Sequence, residues 1–163
     1  MRFDTAVNAM VLDLYKKKQI VVNGKDNKRP FIFTKDVVRA YLAIINAPKN
    51  KIEGEIFNVG SNDQNVTMID LANQIANSID SSCEIIIRGT NDHRSYFASF
   101  DKIKNILGFT TNYSIGDGAK EVYQALSEGT ILDTIKTKTV DWYRYLLNNP
   151  EASGEYMINN TLL

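Results

Sequence analysis

The sequence holds one cysteine and one histidine in 163 residues. A single cysteine excludes an internal disulfide framework, and with one histidine beside it no zinc ligand set can be assembled from soft donors; no metal is expected. No run of 18 apolar residues occurs, so no helical membrane span is expected. The opening Met-Arg-Phe-Asp lacks the apolar stretch of a secretory leader, and the expectation is a soluble cytoplasmic protein. Charge of one sign is also missing. Lys+Arg 19 balances Asp+Glu 19, without the basic surplus of a nucleic-acid binder. There is no internal repeat, low-complexity stretch, linker or glycine-lysine phosphate loop. What remains is ordinary globular material, 44% hydrophobic and 23% charged. One domain of this length buries about 70% of its unfolded surface and needs no covalent staples. It is too short to hold both a cofactor domain and a substrate domain.

Apolar spacing predicts six helices. Ala6, Val7, Met10, Val11, Leu14 and Tyr15 recur at helical spacing before Lys16–Lys18, whose positive charge suits a helix C-terminus. A second helix starts at Thr34 as N-cap, with Asp36 in its first turn, and stops before Pro48. Thr67 and Asp70 form a capping box for the third. The fourth spans Asp101 to Leu107 and ends at Gly108. Ser114 and Asp117 open the fifth, which runs to Gly129, and Lys138 to Asn148 is the last. Short strands are expected at Gln19–Val22, Phe31–Phe33, Glu55–Val59 and Cys83–Arg88; the three isoleucines of the last suggest burial on both faces. Helices and strands alternate, so the class is α/β, or mixed α+β. Residues 1–150 form the domain and 151–163 a tail without a clear period.

Few motifs carry chemistry. Gly116-Asp117-Gly118 fails as a dinucleotide fingerprint, because Glu121 occupies the third glycine position and no strand precedes it. Cys83 reads as a small buried residue, and His93 has no partner in the pattern. Sequons at Asn65, Asn112 and Asn159 carry no weight without a secretion signal. The informative residues are Arg29, directly before an expected strand, and Arg94, in a polar loop after the isoleucine strand. A guanidinium presents a planar fork of donors that matches phosphate oxygens, so two arginines at the ends of separate strands could clamp a diphosphate.

Five motifs follow in order: Ile20-Val-Val-Asn-Gly24, Arg29-Pro-Phe-Ile-Phe-Thr-Lys-Asp36-Val-Val-Arg-Ala40, Gly54-Glu-Ile-Phe-Asn58-Val-Gly60, Asp92-His-Arg94-Ser-Tyr96 and Lys104-Asn-Ile-Leu-Gly108-Phe. Together they resemble the C-terminal, substrate-binding half of NAD-dependent nucleotide-sugar epimerases and dehydratases of the extended short-chain dehydrogenase/reductase superfamily. The resemblance covers about residues 1 to 147. It implies a small substrate-binding domain of short strands and about six helices, without the full Rossmann sheet. It further implies diphosphate contacts from Arg29 and Arg94, a place for Asn58 near the substrate pocket, and a nucleobase lying against the backbone at Val21 and Val22, with Tyr96 packing nearby. Ser99 departs from the aspartate common at its position in the family, and both residues cap helices well.

The same resemblance makes two absences decisive. Hydride transfer in this superfamily uses NAD or NADP on a glycine-rich Rossmann turn, and a Tyr-x-x-x-Lys pair in which lysine lowers the tyrosine pKa. Four residues after the eight tyrosines stand Gln19, Ile45, Phe100, Asp117, Ser127, Leu147, Asn149 and Asn160. None is lysine. The expectation is a chain that binds a nucleotide-diphosphate sugar but has no cofactor site or catalytic residue of its own. NAD or NADP would belong to the complete enzyme, through an N-terminal Rossmann half supplied in cis or in trans. The alternatives are a non-catalytic nucleotide-sugar-binding or scaffold module, and a generic α/β interaction domain. A domain deprived of its partner half should leave apolar surface exposed around Glu55–Val59 and form homo-oligomers.

Overall fold

The computed structural model describes residues 1–89, 94–158 and 161–162. Helix α1 (Ala6–Lys17) ends on Lys18 in the left-handed conformation, φ 57°. This single residue reverses the chain into β1 (Gln19–Asn23), so helix and strand lie antiparallel. Strand β4 (Glu84–Arg88) pairs with β1 in parallel, from Gln19 opposite Glu84 to Asn23 opposite Arg88. Parallel strands need a long crossover. It contains β2 (Lys28–Pro30), α2 (Thr34–Ile45), the single turn α3 (Lys49–Ile52), β3 (Asn65–Thr67) and α4 (Met68–Ile79). β2 and β3 pair antiparallel, Arg29 facing Val66. After β4 come α5 (Asp101–Leu107), α6 (Ile115–Ser127), α7 (Thr139–Asn148), α8 (Pro150–Ser153) and a short hairpin of β5 (Met157–Ile158) and β6 (Thr161–Leu162).

The core follows from the period of two along β1. Ile20 and Val22 are fully buried against Val11 and Leu14 of α1 and Leu71 and Ile75 of α4, while Gln19, Val21 and Asn23 turn to the other side. Helix α6 closes this layer. Its Gly116 lies so near α4 that a Cβ would stand 3.0 Å from the Ser78 Cβ, and one at Gly118 would stand 3.0 Å from the Phe33 ring. The Gly-Asp-Gly triplet therefore serves close packing, and its aspartate completes the capping box with Ser114. A smaller core joins Ala40, Phe100, Ile103 and Phe109, with Phe57 and Val59 against it. There a Cβ on Gly60 would meet the Phe100 ring at 2.6 Å, which explains the glycine of Asn58-Val59-Gly60.

All six expected helices form, and α3 and α8 are additional single turns among the described residues. Several strand expectations need correction. The second strand is Lys28–Pro30, not Phe31–Phe33, because the ladder runs along β3 and stops at Pro30. Glu55–Val59 is extended without a ladder partner among the described residues. β4 is not buried on both faces. It belongs to a two-stranded ladder, Ile85 and Ile86 are half-buried and Ile87 is exposed. Thr34 is the first helical residue of α2, with Phe33 at the N-cap. The region expected to be an irregular tail carries α8, a 3-10 turn at Gly154–Tyr156 and the hairpin. His93, Asp92 and the Asn159 sequon lie outside the described residues. Cys83 is half-buried, and burial raises its thiol pKa above the ordinary value.

Helix α2 presents two faces. Ala40 is buried, whereas Val38, Tyr41, Leu42 and Ile45 form an exposed stripe at i, i+3, i+4 and i+7. Ile56 is 83% exposed. The apolar surface expected around Glu55–Val59 is present. Among the described residues no helix is long and apolar enough to cross a membrane.

Buried polar groups pin the loops. Asp36 has no exposed surface. It accepts from the Asn112 and Tyr113 backbone N–H groups at 3.0 Å each and pairs with Arg39 at 2.5 Å. Removing that carboxylate leaves two buried donors unpaired, so Asp36→Ala is expected to lower unfolding free energy by about 3 kcal/mol in urea titration. Asp133 holds the strand-like segment after α6. Its Oδ2 accepts from Lys16 Nζ at 2.5 Å and its Oδ1 lies 3.3 Å from Lys138 Nζ. The Lys16 hydrogen bond, with a smaller part from Lys138, holds the carboxyl below its usual value. A lowered folded pKa stabilises above the ordinary value of about 4 and is lost as pH falls through the folded pKa. Asp133→Asn is expected to melt below the parent chain at neutral pH, with the gap closing in acid, read by melting temperatures across pH.

Candidate functional site

Parallel strands end side by side, and the crevice beyond their C-terminal ends is where open α/β sheets take ligands. Here the side of β1 turned from the core, the inner stripe of α1 and the β2 segment enclose a cavity of about 750 Å³. That is within the range of small-molecule and cofactor sites, roughly 300–1,000 Å³. Helix α1 contributes Ala6, Ala9, Met10, Asp13 and Lys17, one stripe at helical spacing. β1 contributes Gln19, Val21 and Asn23; the turn and β2 contribute Asn27, Arg29 and Pro30; Arg88 ends β4, and Tyr96 stands at the wall.

Arg29 is the most elaborated group. Its guanidinium stacks over the Tyr96 ring, 4.8 Å from the centroid. One terminal nitrogen donates to the Lys28 carbonyl at 2.8 Å and to the Arg94 carbonyl. The loop beneath is tied to β2: Tyr96 N–H donates to the Lys28 carbonyl at 3.1 Å, and Lys28 N–H to Ser95 Oγ at 3.0 Å. Two asparagines fix the following residues. Asn65 exchanges a reciprocal pair with the Ala98 backbone at 2.9 and 3.0 Å, and Asn62 accepts from Phe100 N–H at 3.0 Å. The sequon residue Asn65 is thus a backbone clamp.

The cavity has two acids and three cations on its wall. Asp4 pairs with Arg2 at 3.0 Å, and that side-chain hydrogen bond lowers its pKa from the ordinary value. Asp13 pairs with Lys17 at 2.8 Å. Arg29 and Arg88 are the arginines on the same wall.

The expected site residues divide. Arg29, Val21 and Tyr96 line the cavity. Val22 belongs to the neighbouring strand position, and its side chain is in the core. Arg94 reaches the site through its backbone carbonyl; its side chain is outside the lining set. Asn58 is exposed on the smaller core's side, donating to the Ser99 carbonyl at 3.2 Å, and does not line the cavity. Arg88 is the residue the sequence reading missed. Its signal was its position at the C-terminal end of a parallel strand, opposite Asn23 in register. A second cavity of about 800 Å³ lies between the start of α1, residues 31–35 and α6, with a mostly apolar wall. Trp142 stacks on Tyr145 and meets Tyr156 edge-on, so these aromatics pack the C-terminal segment. The glycines of α6 lie inside a capped helix and do not form a dinucleotide turn.

Residues 2–60 match the model of the NAD dependent epimerase/dehydratase family. The fold is that of solved proteins at low identity. RMD from Pseudomonas aeruginosa, complexed with NADPH, superposes with TM-score 0.66 at 15% identity, over 79% of this chain and 44% of that one. UDP-glucuronic acid 4-epimerase from Bacillus cereus, in complex with UDP-glucuronic acid and NAD, gives 0.65 at 21% identity, over 78% and 41%. L-threonine dehydrogenase from Phytophthora infestans gives 0.63 at 12% identity, over 76% and 41%. The chain thus spans less than half the length of these solved proteins. The mixed α/β architecture without a full Rossmann sheet agrees with a partial match of this kind.

Proposed function

We propose that this chain, whose residues 2–60 carry the NAD dependent epimerase/dehydratase pattern, is the nucleotide-sugar-binding half of such an enzyme. The observation that supports the reading is the arrangement of Arg29, stacked on Tyr96, with Arg88 on the wall of one cavity at the C-terminal ends of β1 and β4. Two guanidinium forks there suit the four non-bridging oxygens of a diphosphate. Tight binding of that non-reacting handle would position the sugar for chemistry elsewhere. Arg94 supports the site through its backbone carbonyl, which accepts from Arg29, while Asn58 ties the Ser99 turn away from the cavity lining.

The fold itself does not choose this substrate, since threonine dehydrogenases share it. The arginine pair favours an anionic handle over an amino acid. In this reading hydride transfer, and the epimerisation or dehydration that follows, requires NAD or NADP on a separate Rossmann half. The apolar stripe of α2 with Ile56 supports that part of the reading, because a stripe of four large residues is costly to leave in water. A non-catalytic binding or scaffold module would use the same cavity and the same stripe.

Titration calorimetry with UDP-, dTDP-, CDP- and GDP-sugars tests the reading. One class is expected to bind, and Arg29→Ala or Arg88→Ala is expected to weaken it by tenfold or more, as for loss of a charge-assisted hydrogen bond of about 1.5–3 kcal/mol. Absence of binding by every nucleotide sugar would sink it. For the partner half, light scattering of the chain alone is expected to show self-association, with Leu42→Glu and Ile45→Glu together returning a monomer. A parent chain that is already monomeric would count against an uncovered interface.

A further inference from the structure

The cavity is lined along β1 from Gln19 to Asn23, and the two ends of that run differ in chemistry. Because Lys18 alone joins α1 to β1, the last turn of the helix lies beside the first residue of the strand. One end therefore carries Asp13, Lys17 and Gln19, and the other carries Asn23 and Arg88. The run of β1 between them is roughly 13 Å at about 3.3 Å per residue. If the arginine end takes the diphosphate, a nucleoside extends along β1 toward Asp13.

That end has unspent hydrogen-bonding capacity. Asp13 Oδ1 accepts from Lys17 Nζ at 2.8 Å, and among the described residues Oδ2 accepts no hydrogen bond. The Gln19 amide donates and accepts none there, and it faces the cavity from a half-buried position. Side by side, a carboxylate and an ammonium present two acceptors next to a donor. Guanine alone offers the complement on one edge: two adjacent N–H donors, N1–H and the 2-amino group, beside the O6 acceptor. Uracil and thymine have a single N–H between two carbonyls, so one carbonyl oxygen would oppose the carboxylate. Cytosine and adenine place an unprotonated ring nitrogen against it.

We infer that Asp13 and Lys17 read the base, and that the ligand is a guanosine diphosphate derivative. The inference rests on the reading of the cavity as a nucleotide-sugar site and adds the nucleobase to it. The carboxylate takes N1–H and the 2-amino group, and Lys17 donates to O6. The same pair also stabilises α1 as an i, i+4 salt bridge, a minor role that is indifferent to the base.

The test is calorimetric binding of GDP, UDP, dTDP, CDP and ADP to the whole chain and to Asp13→Asn, Asp13→Ala and Lys17→Met. The parent chain is expected to bind GDP at least tenfold more tightly than the others. Asp13→Asn, which puts an amide in place of the second acceptor, is expected to remove that preference while the pyrimidine diphosphates change less than threefold. Melting temperatures of the variants should stay near the parent's, since Asp13 is on a helix surface. Equal or tighter binding of UDP or dTDP would overturn the inference and leave the nucleotide site standing. A GDP preference that survives Asp13→Asn and Asp13→Ala would overturn it as well. Failure of all five diphosphates to bind would overturn the site and the inference together.

Discussion

Everything that shapes the cavity depends on the parallel pairing of β1 with β4. The ladder fixes β1 so that Ile20 and Val22 enter the core and Gln19, Val21 and Asn23 face the cavity. A one-residue slip would exchange the two sets, exposing two fully buried side chains and forcing amides into the core. The hydrophobic cost of that exchange sets the register, and the register places the polar groups. Binding chemistry on one face of β1 is thus specified by packing on the other. Arg88 enters by the same rule, since its position at the wall follows from its pairing with Asn23.

The second wall is made differently. The segment from Arg94 to Phe100 has no ladder of its own, and its shape comes from side chains that substitute for one. Asn65 exchanges two bonds with Ala98, Asn62 accepts from Phe100, and Ser95 accepts from Lys28. Asn65 opens β3, Asn62 stands in the turn before it and Lys28 is on β2, so the Tyr96 ring is delivered to Arg29 by the same strand that carries Arg29. An arginine held by two backbone carbonyls and an aromatic face loses little further freedom on meeting a ligand. Asp36 plays the equivalent part for the first turn of α2, drawing residues 112 and 113 onto it. Its role was legible in the sequence only as a first-turn acid favourable to the helix dipole. Two of its three partners come from a loop seventy-odd residues away, which no local pattern announces.

Helix positions were legible because they rest on local signals. The capping box at Ser114–Asp117 forms as read; at Thr67–Asp70 only the N-cap half forms, Thr67 Oγ1 accepting from Asp70 N–H while its hydroxyl donates to the Asp70 carboxylate, and Gly108 and Gly129 take positive φ after their helices. Strands were less so, since a strand exists only where a partner lies. Glu55–Val59 has the composition of one and pairs with nothing described, while Lys28–Pro30, with a lysine, an arginine and a proline, pairs with β3. At the site, Arg29 and Tyr96 could be read from motif order, but the reach of Arg88 as against Arg94 depends on which way a loop returns across β2. Asn58 shows the limit of motif reading most plainly. Its neighbour Gly60 is required by the Phe100 ring, and Asn58 itself ties a turn, so the motif is held by packing at this end of the domain.

The unpaired Glu55–Val59 segment and the stripe on α2 have one physical explanation. An extended run with one buried-facing set, Phe57 and Val59, and a bare Ile56 on the other side has the alternation of a sheet strand that lacks its sheet. The adjacent helix shows the same asymmetry, with Ala40 inside and Val38, Tyr41, Leu42 and Ile45 outside. Two neighbouring segments thus bare apolar residues on one side, where elements packed on their own core would turn them inward. The chain spans less than half the length of the solved proteins that share its fold. The cavity, by contrast, is lined mainly from α1, β1, β2 and the end of β4. Cavity lining and apolar stripe are therefore carried by different elements, so the two can be altered separately by substitution.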